Sequence, residues 1–542
     1  MKILLVEPPY KNKYPPMGLM KISTYHKEKG DYVLFFKGLI DQPYDWDRIY
    51  ITTLFTFDYS KVLKTIKHYL ALIQDPDKIY LGGIMASLMT EKLKKETGIK
   101  NIISGRLTSA KLLGFSDNTN IDALPLDYDI LNDIEYTYAT SNSCIAYTSR
   151  GCINRCSFCA VPQLEGKLCV TNNISNQINH VRNEYGDKRD LMLLDNNILG
   201  IPLKKLEKIV NDLNKLGYRH EKTFKYSSKI DYFLNTYYRY LKHQKPTLPL
   251  LIESKEYIRS LSINNRVSQK NRQRLAEILN ELEDHHDYFE AFEKNHDELK
   301  QICDFYLPKQ AYQRYVDFNQ GLDAREMTEE KIAILSKLPL KPCRIAFDDI
   351  KLKDIYVNAV KLAASYGIKH FSNYILFNSD NDKPEDLYSR LLININLSSE
   401  INCATLFSFP MKYAPVDKTD RNYVGKHWNK HYLRSVRAIL NVKKGVVAKE
   451  KPFFEKAFGK DLNEYFEILS MPHNMIVYRI DCEKAGITQE WKKLFIDLDN
   501  NEKSELLDLL SYNIYCSNKK KLNDILKFYQ PKSILYNKIT KK

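Results

Sequence analysis

Short apolar runs of strand length alternate with amphipathic stretches twice along this chain, which restricts it to an α/β architecture of parallel strands covered by helices. In the first stretch the strand-like runs are residues 3–6, 32–36, 49–55, 79–81 and 102–103, with helical patterns at 59–73 and 86–95 between them. Such a pattern predicts a small Rossmann-like domain over residues 1–120. Ligands of open parallel sheets lie at the carboxyl ends of the strands. Glu7-Pro8-Pro9-Tyr10 stands at one such end and Gly82-Gly83 at another. A glycine pair serves either a tight turn or the close approach of a ligand.

Residues 121–143 have neither period and read as a linker. Alternation resumes over residues 144–420, with strands expected at 145–148, 191–194, 316–318, 344–347, 370–377 and 404–409. Helices are expected at 174–185, 203–216, 328–336, 354–366 and 384–396. Six strand–helix units predict a partial (β/α)6 barrel, interrupted at 218–315 by an insertion of helical pattern, because a structureless loop of that length is rare. Residues 421–542 read as a helical C-terminal region.

None of the ten cysteines precedes Cys144, and Cys144, Cys152, Cys156, Cys159 and Cys169 crowd together. In a reducing compartment, crowding of this kind asks for a metal rather than disulfides. Cys303, Cys343, Cys403, Cys482 and Cys516 are scattered and read as small buried or incidental thiols. Thr148-Ser149-Arg150-Gly151-Cys152-Ile153-Asn154-Arg155-Cys156-Ser157-Phe158-Cys159 places three thiols in one loop after an expected strand. Thiolates are soft ligands suited to iron and sulfide, and three of them leave one iron of a four-iron cluster open. The rival is structural zinc, completed by Cys144 or Cys169.

The spacing of these cysteines, with the aromatic Phe158 before the last, resembles the radical S-adenosylmethionine superfamily over about residues 144–415. The resemblance implies that Cys152, Cys156 and Cys159 hold a [4Fe-4S] cluster that reductively cleaves S-adenosylmethionine. The resulting 5′-deoxyadenosyl radical would act on an unknown substrate, with a low-potential donor such as flavodoxin or ferredoxin supplying the electron. It implies cofactor contacts from strand ends: Phe158, Asp195 and Asn196, then Asp323 and Arg325, then Asp348 and Asn378. Helix or strand termination is the plainer role for Asp323, Asp348 and Asn378. The usual glycine pair with a glutamate after the second strand is missing.

An N-terminal Rossmann-like domain before such a barrel is similar to the cobalamin-binding branch, which implies cobalamin and methyl transfer. The cobalt-ligating histidine of an Asp-x-His-x-x-Gly loop is absent, since Lys11-Asn12-Lys13 and its neighbours follow the first strand. The run from Arg150-Gly151-Cys152 to Cys159-Ala160-Val161-Pro162 also resembles methylthiotransferases, but the N-terminal cysteines for their second cluster are lacking.

With 542 residues, 44% of them hydrophobic and 27% charged, the chain is long enough for two or three domains and is globular in composition. No leader and no apolar stretch near about 18 residues is found, so a cytoplasmic protein without a membrane partner is expected. A formal charge of +15 fits either an anionic partner such as nucleic acid or a lysine-rich coding bias. A second function class follows from the former: a nucleic-acid-binding protein with a structural metal. The insertion is basic and tyrosine-rich over 219–274 and acidic over 277–298, which suits either base stacking or helices that satisfy their own charges. His285 and His286 read as solvated surface, Trp428 as a packed aromatic at a helix start, and Lys519-Lys520-Lys521 with Lys541-Lys542 as solvated charge.

Overall fold

The computed structural model describes residues 1–41, 45–140, 142–171, 174–401 and 403–530; Lys541 and Lys542 lie outside them. The chain forms two compact units, one of residues 1–320, 337–340 and 416–420, the other of residues 321–336, 341–415 and 421–542.

The first unit opens with β1 (Lys2–Glu7), α1 (Met17–Glu28), β2 (Tyr32–Lys37), β3 (Arg48–Thr53), α2 (Tyr59–Ile73), β4 (Ile79–Gly83), α3 (Ile84–Leu88) and α4 (Thr90–Thr97). The strands make one parallel sheet in the order β2-β1-β3-β4. Ile3, Leu4, Leu5 and Val6 are all buried, because a parallel strand flanked by neighbours is covered on both faces. Leu4, Val6, Ile49 and Ile51 share a core with Val62 and Ile66 of α2. The strand expected at 102–103 is reduced to a single parallel bridge between Leu81 and Ile102. The chain turns away just beyond it, at Gly105, whose φ is +74°. The glycine pair at the end of β4 is needed for close approach: Gly83 has φ +101°, and a Cβ there would lie 2.2 Å from the Thr53 carbonyl oxygen.

Residues 121–143 are strapped to this domain. Asp127 pairs with Lys27 at 2.6 Å, and Asp133 accepts from the Phe35 amide at 3.1 Å.

Next come β5 (Cys144–Ala146), β6 (Ser149–Arg150), α5 (Val161–Leu164), β7 (Cys169–Val170), α6 (Ile174–Tyr185), β8 (Leu191–Leu193) and α7 (Leu203–Lys215). The insertion follows as α8 (Lys229–Lys242), α9 (Leu248–Ser262), α10 (Gln269–Asp284), α11 (Tyr288–Lys294) and α12 (His296–Phe305), and then β9 (Val316–Phe318). A parallel sheet runs β5-β8-β9. The insertion packs its own core from Ile230, Phe233, Leu275, Ile278, Phe292 and Leu299. The antiparallel pair β6–β7 was not expected from sequence, two residues being too few to show a period.

The second unit contains α13 (Glu329–Leu335), β10 (Cys343–Ala346), α14 (Lys353–Ser365), β11 (His370–Phe377), α15 (Pro384–Glu400) and β12 (Thr405–Lys412). Its sheet is parallel in the order β10-β11-β12. From α16 (Lys430–Val442) onward the described residues are helical, around a core that includes Phe377, Leu391, Val436, Trp491 and Leu506. The six strands expected beyond residue 144 are thus present, three in each unit, in a mixed α/β fold of parallel sheets. No helix among the described residues is long and apolar enough to cross a membrane.

Candidate metal centre

Beyond β5 the chain makes the two-residue strand β6 and then turns sharply at Gly151. This residue has φ +83°, and a Cβ on it would lie 2.6 Å from the Lys167 carbonyl oxygen and 2.8 Å from that of Gly166, so only glycine fits. The loop that follows carries Cys152, Cys156 and Cys159, all partly exposed. The Cys159 amide donates to the Cys156 carbonyl at 3.0 Å, closing the second half of the loop into a turn. Three thiols therefore occupy one short segment within reach of solvent.

What fixes that segment comes from the neighbouring strand. Cys144 of β5 pairs with Leu191 of β8 in parallel register, so the residues after β8 lie beside the start of the cysteine loop. There Asp195, almost wholly buried, accepts from the Thr148 amide at 3.1 Å, from the Thr148 hydroxyl at 2.6 Å, and from both the amide and the hydroxyl (2.6 Å) of Ser149. Burial raises its carboxyl above the ordinary range, and the Ser149 and Thr148 donors oppose that shift. The Asn196 side-chain oxygen takes the Gly151 amide at 3.1 Å. Asn197, also buried, directs its side-chain amide at the Cys152 sulfur at 3.5 Å, and the Asn154 backbone amide approaches the same sulfur at 3.3 Å.

At the base of the loop Arg150 is buried against the Tyr147 ring, 4.2 Å from its centroid. It forks onto Glu165 with two bonds of 2.8 Å and onto Asp122 at 2.7 and 3.0 Å. Burial opposes ionisation of Asp122, but Lys21 and Arg150 hold it well below the usual carboxylate range. Arg150, just before the loop, is thus clamped to Glu165 and Asp122 by charge-assisted bonds between largely buried side chains.

Of the residues singled out in the sequence, Asp195 and Asn196 stand beside the cysteine loop, bonded to its backbone and hydroxyls. Phe158 lies half-buried within the loop itself. The other four belong to the second unit. Asp323 and Arg325 bond to each other, Nε to Oδ1 at 2.8 Å and Nη2 to Oδ2 at 2.7 Å, and Asp323 also caps a short turn by accepting from the Arg325 amide at 3.0 Å. Asp348 is half-buried and accepts from the Leu376 amide at 3.3 Å; burial pushes its carboxyl up to about 6.

Asn378 is completely buried at φ +74°. Its side chain donates to the Tyr413 and Tyr423 carbonyls at 3.0 and 3.2 Å and accepts from the Gly425 amide at 2.9 Å. Its own amide donates to Asp382 at 2.8 Å. These bonds tie the end of β11 to the segment that follows β12. Trp428 packs on Phe377 and donates to Asp382 at 3.0 Å, a buried aromatic as expected.

Sequence reasoning did not single out Asn197, Thr148, Ser149, Arg150 or Glu165. Thr148, Ser149 and Arg150 stand in the cysteine run without a role assigned to them, and Asn197 follows Asn196, which was the one signal available.

The donor set suits an iron–sulfur cluster. Its sulfurs are soft, and N–H groups aimed at a cluster thiolate are among the protein's means of setting potential. Of the two candidates for a fourth zinc ligand, Cys144 is buried in β5 and its thiol is pushed up to about 12 by burial. Cys169 is exposed opposite Arg150 in the β6–β7 pair and accepts from Arg106 at 3.3 Å. The insertion, expected to be a nucleic-acid surface or a self-satisfied helical layer, pairs part of its charge within itself and part with residues 121–143. Arg239 pairs with Asp129, Lys245 with Asp133, Arg259 with Glu283 and Arg274 with Glu298. Phe233 and Tyr240 are core residues, while Tyr226 and Tyr238 are exposed.

No family profile and no curated protein matches the sequence. Among solved structures the chain is similar to the radical S-adenosylmethionine methyltransferase TsrM from Kitasatospora setae with cobalamin and a [4Fe-4S] cluster bound, at 13% identity and a TM-score of 0.43 over 77% of each chain. The same enzyme with tryptophan substrate and the analogue aza-SAM aligns at 13% identity and a TM-score of 0.41, over 75% of this chain and 72% of that one. The cobalamin-dependent S-adenosylmethionine radical enzyme OxsB aligns at 12% identity and a TM-score of 0.40, over 100% of this chain and 75% of its own. At this distance the chemistry of the site is argued from its own residues.

Proposed function

We propose that this chain is a radical S-adenosylmethionine enzyme in which Cys152, Cys156 and Cys159 hold a [4Fe-4S] cluster. One observation carries the proposal: a loop with these three thiols, bound at its start, from Thr148 to Cys152, by the residues that follow β8, with two N–H groups directed at the Cys152 sulfur. Held by Cys152, Cys156 and Cys159, such a cluster would supply one electron for reductive cleavage of S-adenosylmethionine. The chain's own residues do the holding. Asp195 fixes the entry to the loop, Asn196 fixes Gly151, Asn197 adjusts the electron density on Cys152, and Arg150 locks the base. Phe158 is proposed to shape the cofactor site from within the loop, and Asp323, Arg325, Asp348 and Asn378 are proposed as cofactor contacts on the family resemblance alone, Asn378 through the backbone it organises.

Methyl transfer is the reaction favoured if the N-terminal sheet carries cobalamin. The end of β1 offers no imidazole to cobalt. Glu7 is committed there to Lys37 at 2.5 Å and to the Tyr138 hydroxyl.

The test is anaerobic reconstitution with iron and sulfide, followed by dithionite and S-adenosylmethionine. Formation of 5′-deoxyadenosine in the wild type and its loss in Cys156→Ala supports the assignment. Tightly held zinc that is lost in Cys156→Ala, without cleavage, supports the structural-metal alternative instead. A cobalt analysis of the same sample decides whether cobalamin is retained.

A further inference from the structure

A second cluster of metal-ligating side chains lies far along the chain from the cysteines, in the insertion. Adjacent histidines on one helix point to different faces. However, α10 ends at Asp284, and His285 is already extended, with φ −80° and ψ 139°. The chain then re-enters a helix at Asp287, whose carboxylate caps α11 by accepting from the Phe289 and Glu290 amides at 3.0 and 3.1 Å. This kink turns both imidazoles toward Glu290, in the first turn of α11, and one donor atom from each of the three residues lies within 4.8 Å of the others. The two rings stand 4.8 Å apart at 39°.

We propose that the α10–α11 turn is a binding site for a divalent first-row transition ion such as zinc, with His285, His286 and Glu290 as ligands. The donor set selects the ion class. Two imidazoles and a carboxylate suit zinc, copper or nickel, whereas magnesium and calcium prefer oxygen alone.

A second observation points the same way. The Nδ1 of His285 lies 2.8 Å from the Asp287 carbonyl oxygen and 3.2 Å from the Asp287 amide, so the ring is tied to the turn through this nitrogen, which donates to the carbonyl in one tautomer and accepts from the amide in the other. The tautomer that donates from Nδ1 to the carbonyl leaves the Nε2 lone pair for a metal, which is the arrangement by which a backbone carbonyl commonly orients a ligating histidine. Glu290 shares one oxygen with Lys294 at 3.2 Å. That pair is exposed and weak, and the second carboxylate oxygen is available alongside it.

Behind the turn the scaffold is rigid. Tyr288, Phe289 and Phe292 are buried, and Phe289 stacks on Tyr237 with ring centroids 4.1 Å apart. Three protein ligands leave further positions for water or for a donor from a partner.

The experiment titrates Zn²⁺, against a chromophoric chelator, into the full chain with its cysteine cluster loaded, and into the Cys152→Ala/Cys156→Ala/Cys159→Ala variant. One equivalent should bind in both, which separates this site from the cysteines and keeps the test independent of the proposed enzyme activity. His286→Ala and Glu290→Gln should each weaken binding about tenfold or more, and His285→Ala/His286→Ala should abolish it. Cu²⁺ bound to the triple-alanine chain should show nitrogen superhyperfine splitting that disappears in the double histidine variant. These side chains are largely exposed, so metal-free thermal unfolding should match the wild type. Zinc stoichiometry and affinity unchanged in the double variant, or no zinc bound by the triple-alanine chain, would overturn the proposal.

Discussion

The side-chain amide of Asn197 donates to the sulfur of Cys152 at 3.5 Å, across forty-five residues of sequence. A hydrogen bond to a cluster thiolate stabilises the reduced, more negative state and so raises the reduction potential. Asn197→Val is therefore expected to retain iron but to show a lower cluster potential in an EPR-monitored redox titration. A potential equal to that of the wild type would mean that this amide does not act on the cluster.

Asp195 gathers the amides and hydroxyls of Thr148 and Ser149 at the entrance to the same loop. Asp195→Ala leaves these buried donors without an acceptor, at a cost of about 1–3 kcal/mol for a group so stranded. The expected outcome is a lower urea midpoint and reduced iron retention after desalting. Arg325→Ala, in a pair on a partly exposed turn, should change the urea midpoint little.

In the second unit, His431 is buried and stacked on His473, with ring centroids 4.9 Å apart. Burial pushes its imidazole down to about 3 from the ordinary 6.5. The unfolded chain therefore binds the proton more readily than the folded one. Stability should be fully present above pH 6.5 and fall as the pH drops from 6.5 toward 3, by about 1.4 kcal/mol per unit for one such group. Urea unfolding followed by far-ultraviolet circular dichroism at pH 7 and pH 5 checks this. His431→Phe should flatten part of the slope, the remainder including His473, whose imidazole burial also lowers.

The parts of this account that were legible in the sequence are those encoded locally. Strand and helix periods near residues 3–6, 59–73 and 370–377 recur as β1, α2 and β11, and the cysteine spacing needs only twelve consecutive residues to be seen. What was not legible depends on partners distant in the chain. Asp195 could be read as a polar residue after a strand, but nothing near it reveals that Thr148 and Ser149 are its partners. Asn378 could be read as a cofactor contact or as a plain strand end, but nothing near it reveals that its side-chain amide and carbonyl bond to residues 413–425, beyond β12. The reading of His285 and His286 as solvated surface assumed a continuous helix. α10 stops one residue earlier, and that single boundary changes which groups can meet. Boundaries and long-range partners are set by tertiary packing rather than by local propensity.

The most direct measurement concerns the iron without a protein ligand. Electron–nuclear double resonance on the reduced, reconstituted protein, with S-adenosylmethionine carrying ¹⁵N in its amino group, should show a nitrogen coupling from direct contact with the cluster. The cluster should contain about four irons and disappear in Cys152→Ala. A reduced cluster whose spectrum ignores the nucleotide, or one that survives loss of Cys152, would contradict a three-cysteine site with a vacant iron.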